Sequence, residues 1–128
     1  MSASPGHQKW PDHEVRESHV EERVVVEIGG QVLADSKDVI RVDEDGNPAR
    51  FYFPRSDVKM EALEQSSTTT QCPFKGTAHY FSLRAGGGRF NDAAWTYEEP
   101  YDEHHDLKDR LAFYDDKYTQ IHVRAAHR

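Results

Sequence analysis

Residues 23–35 read RVVVEIGGQVLAD, and this stretch decides the fold class. Two short runs rich in β-branched residues flank a pair of glycines, and paired glycines supply the positive φ angles that a two-residue hairpin turn requires. The stretch therefore predicts a β-hairpin in which Val26 faces Leu33. In that register one face of the hairpin is apolar and enters the core: Val24, Val26, Ile28 and Leu33.

Outward from this hairpin, more short strands alternate with turn signals. Strands are predicted over 38–42, 50–53, 66–70, 78–84 and 90–97, and a last hairpin over 110–123. The one helix signal lies at 58–63, where Ser56 or Asp57 serves as the N-cap. Regularly spaced short strands predict an all-β domain, mainly antiparallel and barrel- or sandwich-like, with one short helix.

A chain of 128 residues fits a single domain. Residues 1–18 are rich in Ser, Pro, His and charged residues without an apolar period, so we expect a mobile N-terminal segment before a single β-rich domain over 19–128. A soluble, cytoplasmic protein is expected, since there is no long apolar run and no secretory signal at the start. The single cysteine is compatible with a reducing compartment.

Charge narrows the choice of partners. The formal net charge is -7, from 23 acidic and 16 basic residues, which disfavours attraction to a phosphate backbone. We therefore expect no nucleic-acid partner and no membrane partner, and the chain is either a monomer or a homodimer.

The segment TQCPFKGTAHY, residues 70–80, holds the only cysteine and the best candidate site. Cys72 is a candidate catalytic nucleophile, because Lys75 lies nearby and can stabilise a thiolate. Lys75 is itself a candidate catalytic acid or base. The alternative for Cys72 is a small buried hydrophobic residue, which free cysteines usually are, and we prefer that alternative.

Two cations sit inside the most aromatic parts of an acidic chain. Arg55 and Lys75 can together hold a carboxylate or phosphate, with Arg55 offering a planar fork. Equally, Arg55 can pair with Asp57 or another acid while Lys75 extends its charged end into water. A pocket for a flat ligand is predicted from aromatic residues, although core packing is the preferred explanation for any one ring. The candidate ligand-binding residues are Tyr52, Arg55, Lys75, Gly76, Tyr80, Trp95 and Tyr97.

Eight histidines raise the question of a metal site. The best local cluster is His104 and His105, between Glu103 and Asp106. Adjacent side chains on an extended segment point apart, and zinc needs three or four convergent ligands. We therefore predict no metal and no cofactor, and interpret this cluster as a solvated acidic loop whose histidines titrate near neutral pH.

Five blocks of the chain resemble, in order, the signature blocks of a bacterial and fungal family, domain of unknown function 427, which carries a nucleotidyltransferase-like label. The blocks are 34–36, 52–58, 70–80, 94–100 and 112–114, and the resemblance runs from about 20 to about 123. It implies a small single-domain β fold without an established activity. The label does not fit, because palm-type nucleotidyltransferases need closely spaced acidic metal ligands and a glycine-serine helix start. The glycine run 86–88 is better explained as a hairpin turn.

Three hypotheses for function follow. The first is a domain that binds a small, flat, anionic ligand between Arg55, Lys75 and the aromatic residues. The second is an enzyme that uses Cys72 or Lys75. The third is a structural or protein-interaction module in which the signature blocks only hold the fold together.

Overall fold

Ten antiparallel strands run through residues 3–125, the part of the chain that the computed structural model describes. They are β1 (Val15–Val20), β2 (Val24–Ile28), β3 (Gln31–Ser36), β4 (Val39–Glu44), β5 (Arg50–Tyr52), β6 (Leu63–Cys72), β7 (Gly76–Ala85), β8 (Gly88–Tyr97), β9 (Leu111–Phe113) and β10 (Ile121–Ala125). The one α-helix of these residues, α1, is Pro5–Lys9, and short 3-10 turns lie at Arg55–Asp57, Met60–Ala62 and Asp102–Leu107.

The strands form three sheets. Their orders are β1-β4-β5, β10-β2-β3 and β6-β7-β8-β9. A bridge between Phe53 and Leu111 joins the first sheet to the third. The predicted all-β, mainly antiparallel class with only short helices is confirmed, and the described sheets form no closed barrel. No helix among residues 3–125 is long and apolar enough to cross a membrane.

The first predicted hairpin is present, with one difference in register. Gly29 and Gly30 have φ angles of 55° and 82°, as a primed two-residue turn requires. Beyond the turn the register shifts, so that Val26 faces Ala34 rather than Leu33. Leu33 is the extra residue of this β-bulge and is fully buried in the core. A bulge adds one residue to a strand, so the register beyond it cannot be predicted by counting residues from the turn.

Two hydrophobic clusters lie on opposite faces of β7 and β8. Phe81 and Leu83 belong to a mainly aliphatic cluster together with the apolar residues of β2. Tyr80, Trp95 and Tyr97 belong to a second, aromatic cluster. Successive side chains of a strand point to opposite faces, so a single pair of strands serves both clusters.

The predicted helix at 58–63 is wrong, because no α-helix forms over these residues. Val58 forms a bridge with Ala34 instead, and a single 3-10 turn at Met60–Ala62 leads directly into β6. A two-turn helix is unstable without packing, and here backbone pairing with the neighbouring strand takes its place.

The predicted last hairpin is also wrong. β9 pairs with β8 of the third sheet, whereas β10 pairs with β2 of another sheet. The connecting turn therefore crosses between sheets. Pairing of this kind is set by distant parts of the chain and leaves no signal in the local sequence.

The N-terminal segment contacts the body of the protein. Ser4 caps α1 by accepting a hydrogen bond from the His7 amide at 3.2 Å. The Ser4 amide donates to the Glu103 carboxylate at 2.8 Å, and both the Ser4 hydroxyl and the Gly6 amide donate to the Pro73 carbonyl, at 2.8 and 2.7 Å. Farther on, β1 pairs along its whole length with β4.

The prediction of a mobile N-terminal segment did not include these contacts. Ser4 is fully buried although Ala3 and Pro5 beside it are exposed, because its hydrogen-bonding groups find partners on the body. The division into a mobile segment over 1–18 and a domain over 19–128 stays a prediction. The first two and the last three residues of the chain lie outside the part that the structure describes.

Gly6 offers a test of this docking. A Cβ atom at position 6 would lie 2.6 Å from the Pro73 carbonyl oxygen and 2.8 Å from the Phe74 ring. We expect Gly6→Ala to weaken docking of the segment by about 1–3 kcal/mol, which lowers amide-exchange protection at residue 6 at least about fivefold. Hydrogen exchange followed by NMR measures this change.

Gly88→Ala is the matched control, because a Cβ there meets only ordinary contacts, at 3.5 Å from Phe90. Unchanged protection in Gly6→Ala would contradict the described docking.

Candidate functional site

A cavity of about 160 Å³ opens beside the aromatic cluster. Its walls come from β4, β5, β7 and β8 and from the turns that enter β7 and leave β9. Five of the predicted site residues line it: Tyr52, Lys75, Tyr80, Trp95 and Tyr97. Three lining residues escaped the sequence prediction and carry much of its chemistry: Glu44, Arg50 and Tyr114.

The aromatic walls are held together by their polar ends and by ring packing. The Trp95 indole N–H donates to the Tyr52 hydroxyl at 3.1 Å. The Trp95 and Tyr114 ring centroids lie 4.2 Å apart, and Tyr80 stacks on Tyr114 with an interplanar angle of 10°. Such contacts fix the rings in place, and the cavity therefore has preformed walls.

Burial raises the pKa of the Tyr52, Tyr97 and Tyr114 hydroxyls above the ordinary tyrosine value. The three phenols therefore stay protonated near neutral pH and remain hydrogen-bond donors. Tyr97 stands out among them. It is only 5% exposed and lines the cavity, yet its hydroxyl forms no hydrogen bond with any residue in 3–125.

The unpaired Tyr97 hydroxyl is informative because no fully enclosed side-chain polar atom among these residues lacks a partner. The hydroxyl must therefore reach open space, and the space that Tyr97 lines is the cavity. A donor that opens into a cavity and has no protein partner is normally satisfied by water or by a ligand.

Lys75 enters the cavity from the turn between β6 and β7 and is 7% exposed. Its ammonium group forms an ion pair with Glu44, which also accepts a hydrogen bond from His13 Nε2 at 3.0 Å. Burial opposes ionisation of Glu44, but the hydrogen bonds from Lys75 and His13 outweigh it and hold the pKa of that carboxyl below its usual value. Lys75 is therefore neutralised by a fixed, buried partner.

Arg50 is the second cation of the cavity. Its guanidinium carbon lies 5.3 Å from the Trp95 ring centroid and 5.1 Å from that of Tyr114. On its other side the guanidinium forms a two-point pair with Asp116, at 2.9 and 3.2 Å. The sequence Arg50-Phe51-Tyr52 could have indicated this position, because residues two apart on a strand share a face and Arg50 therefore lies on the same face as Tyr52.

Arg55, the predicted partner of Lys75, does not line the cavity. Its guanidinium lies 5.7 Å from the Phe81 centroid and donates to the Asp109 carbonyl at 3.3 Å. Phe81 points to the opposite face of β7 from Tyr80, which places Arg55 on the other side of the sheet. The structure thus brings Lys75 together with Arg50 and not with Arg55.

Cys72 and Gly76 face each other across the start of the β6–β7 pair and do not line the cavity. The Cys72 side chain is partly buried against the aromatic cluster and is a free thiol. No side chain within residues 3–125 forms a hydrogen bond or ion pair with it. His79, the nearest histidine to Cys72 in the sequence, pairs instead with Glu98, with Nε2 3.7 Å from the carboxylate.

The histidine pair of the acidic loop divides between two environments. His105 is exposed, as predicted for a solvated loop, but His104 is 3% exposed. Its Nδ1 pairs with Glu17 and its Nε2 lies 2.8 Å from His7 Nε2. The expectation for His104 is therefore wrong, because the N-terminal segment covers it. Within residues 3–125, no group of three or more acidic, histidine or cysteine side chains could hold a metal ion.

The fold and the cavity define a small antiparallel β domain that has a preformed cavity with aromatic walls. Two cationic side chains, Arg50 and Lys75, line this cavity. The model of the family described as "Domain of unknown function (DUF427)" matches residues 16–124. The chain belongs to this family, as its sequence blocks predicted. No curated protein matches it.

The Glu44 ion pair yields a prediction about pH. The folded state holds the pKa of Glu44 below the ordinary value of 4.5, so its contribution to stability is present above pH 4.5 and is lost as pH falls through the folded pKa. We expect Glu44→Gln to lower the free energy of unfolding at pH 7 by about 2 kcal/mol, since it leaves the Lys75 charge poorly paired. Urea unfolding of both proteins at several pH values measures the difference.

The deficit of Glu44→Gln should shrink as the pH falls, because protonation removes the same charge from the wild type. Glu61→Gln removes an exposed carboxylate and should change the stability at pH 7 by less than about 0.5 kcal/mol. A deficit that stays constant from pH 7 to about pH 3 would contradict a role for the Glu44 charge.

Proposed function

We propose that this protein binds a small anionic ligand with a flat group, and that the ligand occupies the cavity beside Arg50 and Lys75. The observation that carries the proposal is the convergence of two cations and an aromatic wall on one cavity in a protein of net charge -7. Each of these cations is paired with a carboxylate, Arg50 with Asp116 and Lys75 with Glu44, so an anion binds there by replacing one of these partners.

Each part of the site suits one part of such a ligand. The rings of Tyr80, Trp95 and Tyr114 supply flat apolar walls with polar ends. Arg50 offers a planar fork that matches a carboxylate or phosphate. The unpaired Tyr97 hydroxyl supplies a neutral donor inside the cavity.

The volume limits the size of the ligand. Pockets for drug-sized molecules enclose roughly 300–1,000 Å³, and this cavity has about 160 Å³. The proposed ligand therefore carries about one ring or less, and a whole nucleotide exceeds the available space.

Catalysis by Cys72 or Lys75 stays an alternative prediction, as does a purely structural or interaction role. Neither is favoured by a specific observation. Cys72 does not line the cavity, and the charge of Lys75 is neutralised by Glu44.

A panel of small carboxylates and sugar phosphates in a thermal-shift assay tests the proposal. A ligand at ten times its dissociation constant should raise Tm by about 5 °C. Arg50→Gln should weaken binding of that ligand by about 10- to 100-fold, because it removes charged hydrogen bonds.

Arg55→Gln is the matched control, since it removes the same group from the other face of β7 and should leave the ligand response unchanged. A panel without any response would overturn the proposal. So would a response that depends on Arg55 and not on Arg50.

A further inference from the structure

The partner of Arg50 gives information about the ligand. Asp116 lies in the turn between β9 and β10, and its two oxygens meet the two terminal nitrogens of Arg50 at 2.9 and 3.2 Å. This is the geometry in which a guanidinium binds any carboxylate. The hydrogen bond from Arg50 also holds the pKa of Asp116 below its usual value, so the carboxyl is ionised near neutral pH.

The two ion pairs of the cavity differ in exposure. The Lys75 and Glu44 side chains are 9% and 15% exposed, so both partners are enclosed. The Arg50 side chain is 18% exposed, but that of Asp116 is 48% exposed. Separation of Asp116 from Arg50 costs little free energy, because the half-exposed Asp116 carboxylate is then solvated by water. Separation of Lys75 from Glu44 costs more, because each charge is left largely enclosed and without a partner. Asp116 is therefore the partner that a ligand can displace.

The charges around the cavity select among anions. The two cations, Arg50 and Lys75, are balanced by Glu44 and Asp116, and Asp115 adds a further negative charge 3.7 Å from Arg50. A monoanion that takes the place of Asp116 keeps one negative charge on the guanidinium. A phosphate dianion brings a second negative charge close to Glu44 and Asp115, and no third cation is among the described residues that line the cavity. Lys117 lies against the Tyr114 ring, 5.6 Å from its centroid, but is not part of the cavity wall.

We propose that the ligand of this cavity is a small monocarboxylate, whose carboxylate replaces Asp116 on Arg50. The proposal rests on the function proposed above and narrows it to one class of anion. Inside the cavity the Tyr97 hydroxyl, which has no hydrogen-bond partner among residues 3–125, supplies a second donor for a polar atom of the ligand. Without a ligand, the Asp116 carboxylate is paired with the Arg50 guanidinium, and a ligand has to compete with it for that group.

Three probes with the same ring test the choice of anion. Benzoate is a monoanionic carboxylate, phenyl phosphate is mainly a dianion at neutral pH, and benzamide is neutral. Isothermal titration of the full chain with each probe should show that benzoate binds at least tenfold more tightly than phenyl phosphate or benzamide. Benzoate that binds no more tightly than phenyl phosphate would overturn the inference.

Variants of the turn test the displacement. We expect Asp116→Asn to tighten benzoate binding about five- to tenfold, because the amide is a weaker competitor for Arg50. Asp115→Asn is the matched comparison: it removes an equal charge from the same turn but no two-point pair, so it should tighten binding by only about two- to threefold. Equal effects of the two variants, or no effect of Asp116→Asn, would overturn the displacement.

The outcomes also separate this inference from the proposed function. Tight binding of phenyl phosphate that is lost in Arg50→Gln leaves the function standing and overturns the choice of carboxylate. Absence of binding for every probe, in the wild type and in Asp116→Asn alike, overturns the binding function and the inference with it.

Discussion

The pleat of β7 and β8 is the constraint on which the rest of the structure depends. Successive side chains of these strands point to opposite faces, so one face completes the aliphatic core and the other builds the aromatic walls. Phe81 and Leu83 serve stability, whereas Tyr80, Trp95 and Tyr97 line the cavity. A shift of either strand by one residue would exchange the two sets, and thus the cavity depends on the same register as the core.

Local signals predicted the parts of the fold that are local. The turn at Gly29 and Gly30 and the alternation of the aromatic strands were evident from short-range patterns. The bulge at Leu33 was not, because it places that side chain in a core built from distant strands. The pairing of β10 with β2 escaped prediction for a similar reason, since it joins segments about a hundred residues apart.

Of the residues that line the cavity, the sequence prediction included Lys75 and four aromatic residues, but it missed Tyr114 and named Arg55 rather than Arg50. Arg55 lies beside the aromatic strand in sequence, yet the chain turns after Pro54 and carries it to the other face of the third sheet. Arg50 lies two residues from Tyr52 and therefore on its face of β5. The burial of His104 could not be predicted, because its partner His7 is 97 residues away. Local polarity indicates exposure only where no distant segment covers it.

The cavity also contains its own optical reporter. Trp95 is buried, donates to Tyr52 and contacts the guanidinium of Arg50, so its indole borders the charge that a ligand would meet first. The chain has two tryptophans, and the other, Trp10, is 47% exposed on the N-terminal segment. Replacement of Trp10 by phenylalanine would leave a single fluorophore in the wall of the cavity. The emission of that fluorophore would then follow events at Arg50 without an attached dye.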